Sequence, residues 1–270
     1  MFHTVATGKD FALACKQGAC GKIHSVFERA INVELAEDEL LTVLCEGADI
    51  MSASCVAAIP VGYWAKLTKP GDTALFTPNT VYVKNVPVIG KVSAANRWAK
   101  LSDTEIHTLS KPAYSEILIL CKELEDYLAK NTDAAPFPVP PLCDFDPADF
   151  IGAGVGLTPS GDDFLAGILH GIHFLENLYG KKHPYLPRLE DSIRRNLRRT
   201  GSISRHFLRY ALQGEWGRCT ENVLVAFVSG DKNRLYDTAN AKLAWGASSG
   251  ADELRGCLFG IRESGSCHAV

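Results

Sequence analysis

The chain has 270 residues, 46% of them hydrophobic and 22% charged, with a formal net charge of −3. That length carries one or two cores, with two domains favoured, and the acidic balance excludes a general nucleic-acid surface because phosphate backbones select basic faces. Any anion site is therefore local.

The nine cysteines (15, 20, 45, 55, 121, 143, 219, 257 and 267) are odd in number and lack CxxC spacing. They fit free thiols in a reducing compartment rather than a disulfide framework or a zinc site. Residues 1–10 lack a basic start followed by an apolar run, and no segment nears the roughly 18 apolar residues that span a bilayer. A cytoplasmic, unprocessed protein is expected, with neither membrane nor nucleic acid among its partners.

From Gly21 to about Lys100, short apolar runs (25–35, 40–45, 73–77 and 80–83) are separated by turn residues such as Pro70-Gly71-Asp72 and Pro78-Asn79. This predicts a small β-rich domain over 1–110. The stretch 114–130 has apolar residues at 117, 118, 120, 121, 124, 127 and 128, the spacing of an amphipathic helix. Pro136 to Pro141 follows as a stiff linker. Residues 111–146 are thus expected to be a connecting helix and linker. Beyond them, apolar stripes at Phe164, Leu165, Ile168, Leu169, Ile172 and Leu175, at Ile203, Phe207, Tyr210 and Ala211, and at Val223, Leu224, Ala226 and Phe227 predict a mostly α-helical domain over 147–270. The fold class is α+β, a small β-rich N-terminal domain followed by a mostly helical C-terminal one.

The second domain opens with Gly152-Ala-Gly-Val-Gly-Leu-Thr-Pro-Ser-Gly-Asp-Asp163. Three spaced glycines allow positive φ and close approach of a ligand, and a helix start presents unpaired N–H groups and the positive end of a dipole, so a phosphate or carboxylate would suit this loop. The plainer alternative is that Ser160-x-x-Asp163 is a capping box, which needs no ligand. That alternative leaves three glycines, Thr158 and Asp162 unexplained. An acid beside an anion site is unfavourable unless it holds a metal, accepts a proton from a substrate nitrogen or points away.

A second copy lies 89 residues on: Ser249-Gly-Ala-Asp-Glu-Leu-Arg-Gly-Cys-Leu258 shares Ser, Gly, Asp, Leu, Gly and Leu with Ser160 to Leu169 at identical offsets. Gly167 and Gly256, within helices where glycine costs about 1 kcal/mol against alanine, indicate close packing of another backbone. Either two helix starts converge on one pocket, or two similarly capped helices merely pack together.

Seven arginines stand between 188 and 209 against Glu190 and Asp191. Arg194, Arg195, Arg198 and Arg199 read as a solvated helix face or a contact for an acidic partner. Arg205 and Arg209, one turn apart after the hydroxyl-rich Thr200-Gly-Ser-Ile-Ser204, are the better anion ligands, arginine forks binding carboxylates and phosphates bidentately. His206 is a candidate acid or base. His170 and His173 with Asp163 have a spacing that a metal could use, though such pairs are more often filler. Trp245 is a pocket wall or core. No Walker A, GxSxG or HExxH motif occurs, and the glycine string lacks a dinucleotide spacing.

Gly154-Val-Gly-Leu-Thr-Pro-Ser-Gly-Asp-Asp-Phe-Leu-Ala-Gly167, Ser202-Ile-Ser-Arg-His-Phe-Leu-Arg-Tyr-Ala-Leu-Gln-Gly214, Gly246-Ala-Ser-Ser-Gly-Ala-Asp252 and, more weakly, Phe27-Glu-Arg-Ala-Ile-Asn32 together resemble the bacterial family of the oxamate carbamoyltransferase H subunit, formerly a family without known function. The resemblance implies a subunit of a multi-subunit carbamoyltransferase of anaerobic allantoin breakdown, interconverting oxalurate and phosphate with oxamate and carbamoyl phosphate. The Ser-Thr-x-Arg phosphate loop of ordinary carbamoyltransferases is absent, so the subunit does the chemistry differently or assists others. On the catalytic reading, Asp162 or Asp163 accepts the proton, Arg205 neutralises developing charge, and His206 stands by as acid or base. Gly154, Gly156, Thr158, Ser160, Gly161, Arg209, Ser248, Ser249, Gly250 and Asp252 hold the substrate. No cofactor and no metal site are expected, although the second acid leaves room for Mg²⁺. The competing class is a non-catalytic sensing or scaffolding subunit that binds the same anionic metabolite.

Overall fold

The computed structural model describes residues 1–36, 39–132, 139–244, 246 and 248–264 and divides into two compact units, Met1–Lys100 and Leu101–Val270. The first unit runs β1 (Phe2–Gly8), α1 (Lys9–Gln17), β2 (Cys20–Val26), β3 (Ala30–Ala36), β4 (Glu39–Cys45), β5 (Ser54–Ala57), α2 (Tyr63–Leu67), β6 (Thr73–Phe76), β7 (Thr80–Val83), β8 (Val86–Gly90) and β9 (Asn96–Trp98). Its strands follow the order β5-β4-β3-β2-β6-β7-β8-β1-β9, and β1 also pairs with β5, so the sheet closes into a barrel. Closure leaves few unpaired edges. Alternation sorts the side chains: Ala74 and Phe76 of β6 and Val81 and Val83 of β7 are buried.

Two features of this unit escaped the sequence patterns. The apolar run 25–35 is not one strand but the end of β2 and the start of β3, paired antiparallel with Ile23 opposite Val33, and the Phe27 N–H closes the turn on the Ala30 carbonyl at 2.8 Å. The β7–β8 hairpin turns on Lys84 and Asn85, both at positive φ (52° and 63°), with Val83 opposite Val86. Paired positive φ in a two-residue loop is the turn whose twist matches the strands, usually signalled by Asn-Gly. Here no glycine announces it.

The second unit is mostly helical, its described residues forming α3 (Asp103–His107), α4 (Tyr114–Asn131), α5 (Ser160–Tyr179), α6 (Leu186–Asn196), α7 (Ser202–Ala211), α8 (Arg218–Ser229), α9 (Lys232–Leu243) and α10 (Ser249–Glu263). The expected β-rich and mostly helical halves are thus both present, and the first is a closed barrel. Helix α4 buries Ile117, Leu120, Cys121, Leu124 and Leu128 in the core of this unit, beside Phe174 and Leu175 of α5 and Leu254 and Leu258 of α10. Helix α5 also supplies Phe164, Leu165, Ile168, Leu169 and Ile172 to a second cluster with Leu189, Ile193 and Phe259. A helix apolar on all sides belongs in the middle of its unit, which is where α5 lies.

Glycines set how α5 meets α10. A Cβ on Gly167 would come within 2.0 Å of the Glu253 carbonyl oxygen, and one on Gly256 within 2.0 Å of the Phe164 carbonyl oxygen. One turn on, Gly171 abuts the Cys257 carbonyl and Gly260 the Ile168 carbonyl, at 2.6 and 2.7 Å for the missing Cβ atoms. Contacts that advance together along both helices make the pair parallel. Each contact maps onto its counterpart by the 89-residue offset, so the sequence repeat is a local two-fold repeat in space. The close backbone approach expected at Gly167 and Gly256 is found, and Gly171 and Gly260 extend it.

Candidate functional site

Because α5 and α10 are parallel, their starts lie at the same end of the seam. Thr158 Oγ1, just before α5, is 3.0 Å from Ser249 Oγ, the first residue of α10. The two helix starts therefore converge. Neither is closed by a capping side chain: the N-cap of α5 is Pro159 and that of α10 is Ser248, and neither forms a side-chain cap bond. The capping-box reading of Ser160 and Asp163 is overturned, because Ser160 is already inside the helix and Asp163 lies beyond the capping position.

The loop before α5 is anchored at its stem and open at its tip. Gly152, Gly154 and Gly156 have φ of 75°, 113° and 105°. Gly161 N–H donates to the Ala153 carbonyl (2.9 Å) and Asp162 N–H to that of Pro159 (2.9 Å). Two of the first-turn donors expected to await an anion are thus engaged by the chain itself. Gly161 has no room for a side chain, since a Cβ would lie 2.0 Å from the Phe150 carbonyl oxygen. At the tip, by contrast, Val155 is 91% and Leu157 61% exposed.

The paired acids separate into two roles. Asp162 is buried, and its carboxylate accepts hydrogen bonds from Gly152 N–H (2.9 Å) and from Thr200 Oγ1. Thr200 in turn presents its carbonyl to Arg205 Nη1. Asp162 therefore ties the glycine loop to the start of α7, and both its oxygens are engaged. Asp163 faces α10 instead. Burial pushes its carboxyl up from 3.8 to about 7; hydrogen bonds from Ser249 and Thr158 and the charge of Lys242 pull the other way, and the nearby Glu253 charge adds to the rise. Its Oδ2 is buried without a hydrogen-bond partner. The equivalent acid of the repeat, Asp252, is 2% exposed; its Oδ1 lies 3.4 Å from Arg255 Nη1, and its Oδ2 is likewise buried and unpartnered.

One turn into the seam, Glu253 gathers groups from three other helices: Lys242 Nζ of α9 at 2.6 Å, His170 Nδ1 of α5 at 3.1 Å, and Thr220 Oγ1 of α8 at 2.5 Å. Burial by itself would raise the Glu253 carboxyl, but the Lys242 ammonium and the bonds from His170 and Lys242 outweigh it and hold the group well below the usual carboxylate range. Sequence patterns missed this cluster, yet both members leave a trace. Glu253 occupies the position of Phe164 in the repeat, a core position, and Lys242 shares the apolar face of α9 with Leu235 and Ala239.

The remaining candidates are spread around this centre. Arg205 and Arg209 are half-buried on one face of α7, and Arg205 is linked through Thr200 to Asp162. His206 turns inward, 5% exposed, with its ring 4.8 Å from Tyr210. Ser160, Ser248 and Ser249 are half-buried at the convergent starts, and Gly250 is buried. His170 and His173 do not share a site, since His173 Nε2 lies 3.3 Å from Glu190 Oε1 while His170 serves Glu253. Among the described residues no group of three or more His, Cys, Asp or Glu side chains could hold a metal ion. Arg194 and Arg195 are exposed and pair with Glu190 and Asp191 one turn earlier, as a solvated face does. Trp245 lies outside the described residues.

The architecture is that of a closed β-barrel followed by a helical unit in which two equivalent helix starts present buried acids. Residues 150–261 match the family model described as oxamate carbamoyltransferase subunit AllH, and residues 3–97 match the AllH family N-terminal domain; the chain belongs to this family. The family is named as a subunit, which implies further subunits of a carbamoyltransferase as partners. No solved structure matches the chain. Among the described residues no helix is long and apolar enough to cross a membrane.

Proposed function

We propose that this chain is a catalytic subunit that interconverts oxalurate and phosphate with oxamate and carbamoyl phosphate in anaerobic allantoin breakdown, and that Asp163 handles the proton. The observation that carries this reading is the buried, unpartnered Asp163 Oδ2 at the junction of two helix starts, on a carboxyl raised to about 7. A general base works best when its pKa lies near the working pH. The raised value also answers the objection to an acid beside an anion site, because a carboxyl neutral for much of its time repels an anion little.

In the direction of oxalurate synthesis, the oxamate nitrogen attacks the carbonyl carbon of carbamoyl phosphate and forms the new C–N bond. The bond from that carbon to the phosphate oxygen breaks, phosphate leaves with the electron pair, and Asp163 accepts the proton from nitrogen. In the reverse direction, phosphate attacks the ureido carbon and Asp163 returns the proton to the departing amide nitrogen. Arg205 and Arg209 neutralise charge on the carbonyl oxygen and phosphate. The Gly154 to Ser160 loop, Ser248, Ser249 and Gly250 cradle the anionic groups, Gly161 holds the loop to the Ala153 carbonyl, and His206 supports α7 from its buried side. Of the two adjacent acids, Asp162 serves as a structural tie, since both of its oxygens are engaged.

The test is carbamoyl transfer by the complex reconstituted with its partner subunits. Asp163→Asn is expected to lower kcat by about 10²–10⁴, the usual range for losing a general base. Full activity in that variant, or in Arg205→Ala, would overturn the assignment.

A further inference from the structure

The α5–α10 repeat is broken at one position, the one beside the acid. By the 89-residue offset Asp163 corresponds to Asp252, and Phe164 corresponds to Glu253. The backbone contacts obey the same correspondence, since Gly167 abuts the Glu253 carbonyl and Gly256 that of Phe164. Asp163 therefore meets a carboxylate at the place where Asp252 meets an apolar ring. The charged neighbour of Asp252 is Arg255 instead.

Two contacts locate Glu253 relative to Asp163. Asp163 lies one turn before Gly167 on the same face of α5, and Ser249, whose hydroxyl bonds to Asp163, lies one turn before Glu253 on α10. Glu253 is thus one turn deeper along the seam than the Ser249–Asp163 contact. Its carboxylate holds Lys242 Nζ of α9 at 2.6 Å, and Lys242 is only 6% exposed. Such a pair adds little net stability, because apolar residues of similar volume serve a core as well or better. The repeat itself supplies that alternative in Phe164. An ion pair kept where the fold accepts a ring points to a role other than stability.

The charges that face Asp163 are those of this pair. Glu253 opposes its ionisation, Lys242 favours it, and Glu253 acts the more strongly. The other facing groups are the hydroxyls of Ser249 and Thr158, while His170, on the same helix as Asp163, turns its ring to Glu253 at 3.1 Å.

We propose that Glu253 and Lys242 are positioning residues of the site, a fixed pair of opposite charges one turn below Asp163 that sets the pH at which Asp163 exchanges its proton. This regulation deepens the catalytic reading above and rests on it for its link to turnover. Removing the anion lets Asp163 ionise more readily, and removing the cation does the opposite. A seam merely loosened by either change would admit water and ease ionisation in both cases. Opposite signs therefore separate charge from packing.

The test titrates the Asp163 carboxyl in the full chain, by infrared difference spectra between each protein and its Asp163→Asn derivative. In parallel, kcat/KM for carbamoyl transfer is followed against pH in the complex reconstituted with its partner subunits. Glu253→Gln is expected to lower the midpoint by at least about half a pH unit, and Lys242→Met to raise it by a similar amount. The pH profile of kcat/KM should move with it. If a single variant does not fold, the double variant decides in its place. Its midpoint is expected below that of the wild type, because the Glu253 charge is the stronger. Midpoints unmoved in folded variants, a fall in both single variants alike, or a double variant at or above the wild type would overturn the proposal. Midpoints that move as expected while turnover ignores Asp163 would leave the charge pair standing and remove the catalytic reading; turnover that needs Asp163, with midpoints unmoved, would do the reverse.

Discussion

Gly167 and Gly256 are reciprocal partners: each presses its bare Cα face against the backbone of the helix that carries the other, with the same 2.0 Å clearance for a missing Cβ. In both cases the obstructing atom is a carbonyl oxygen of a packed helix, which cannot swing aside as a flexible side chain could. Gly167→Ala and Gly256→Ala should each lower the unfolding free energy by about 1–3 kcal/mol or more, the range for overpacking a tight core. The double variant should cost less than the sum, because the first substitution already opens the seam. Denaturant unfolding of the three variants checks this, and strict additivity would show that the two contacts are independent.

Asp162 and Thr200 should behave as one unit. The Asp162 carboxylate joins the Gly152 N–H to the Thr200 hydroxyl in a buried place. Hydrogen bonds to charged groups are worth about 1.5–3 kcal/mol, so Asp162→Ala should destabilise by at least that much and Thr200→Val by somewhat less. A double-mutant cycle measured by chemical denaturation should give a clearly non-zero coupling. A coupling near zero would mean that the loop and α7 are held by other contacts.

Asp163 should make stability depend on pH with a definite sign. The unfolded chain ionises this group near 3.8 and the folded chain only near 7. Its contribution to stability is therefore present at low pH, declines as pH rises between those values, and changes no further above about 7. Asp163→Asn removes the ionisation, so the variant should gain on the wild type from pH 4 to 7 and keep a constant lead above. Melting curves at intervals of pH would show this, and a difference that is flat across the range would contradict it.

The Glu253–Lys242 pair should be far more sensitive to loss of one member than of both. Glu253→Gln removes the carboxylate that pairs with the buried Lys242 ammonium at 2.6 Å, a change that costs about 3–5 kcal/mol for buried pairs. Combining it with Lys242→Met, which restores an apolar group of similar length, should recover much of the loss. In the wild type the lowered Glu253 carboxyl adds stability at neutral pH that is lost as pH falls below the ordinary glutamate range. Unfolding free energies of the single and double variants test the first point, and a double variant no better than Glu253→Gln would refute it.

Much of this protein can be read along the chain. The short apolar runs with turn residues between them give a β-rich first part, because a strand is brief and bounded by turns, and the 3.6-period stripes after residue 114 give helices, because that spacing puts the apolar side chains on one helix face. The glycine string, the repeated Ser-Gly-x-Asp and the mid-helix glycines 167 and 256 direct attention to the right segment for the same local reason. Register and partners are not local. That β1 pairs with β5 to close a barrel, that Lys84 and Asn85 accept positive φ without a glycine, and that α5 and α10 run parallel follow only once distant segments meet. The adjacent acids are the sharpest case. Asp162 and Asp163 are equivalent in sequence, but 100° of helical rotation turns one toward Gly152 and Thr200, which satisfy it, and the other toward α10, where burial raises its proton affinity and leaves an oxygen unused.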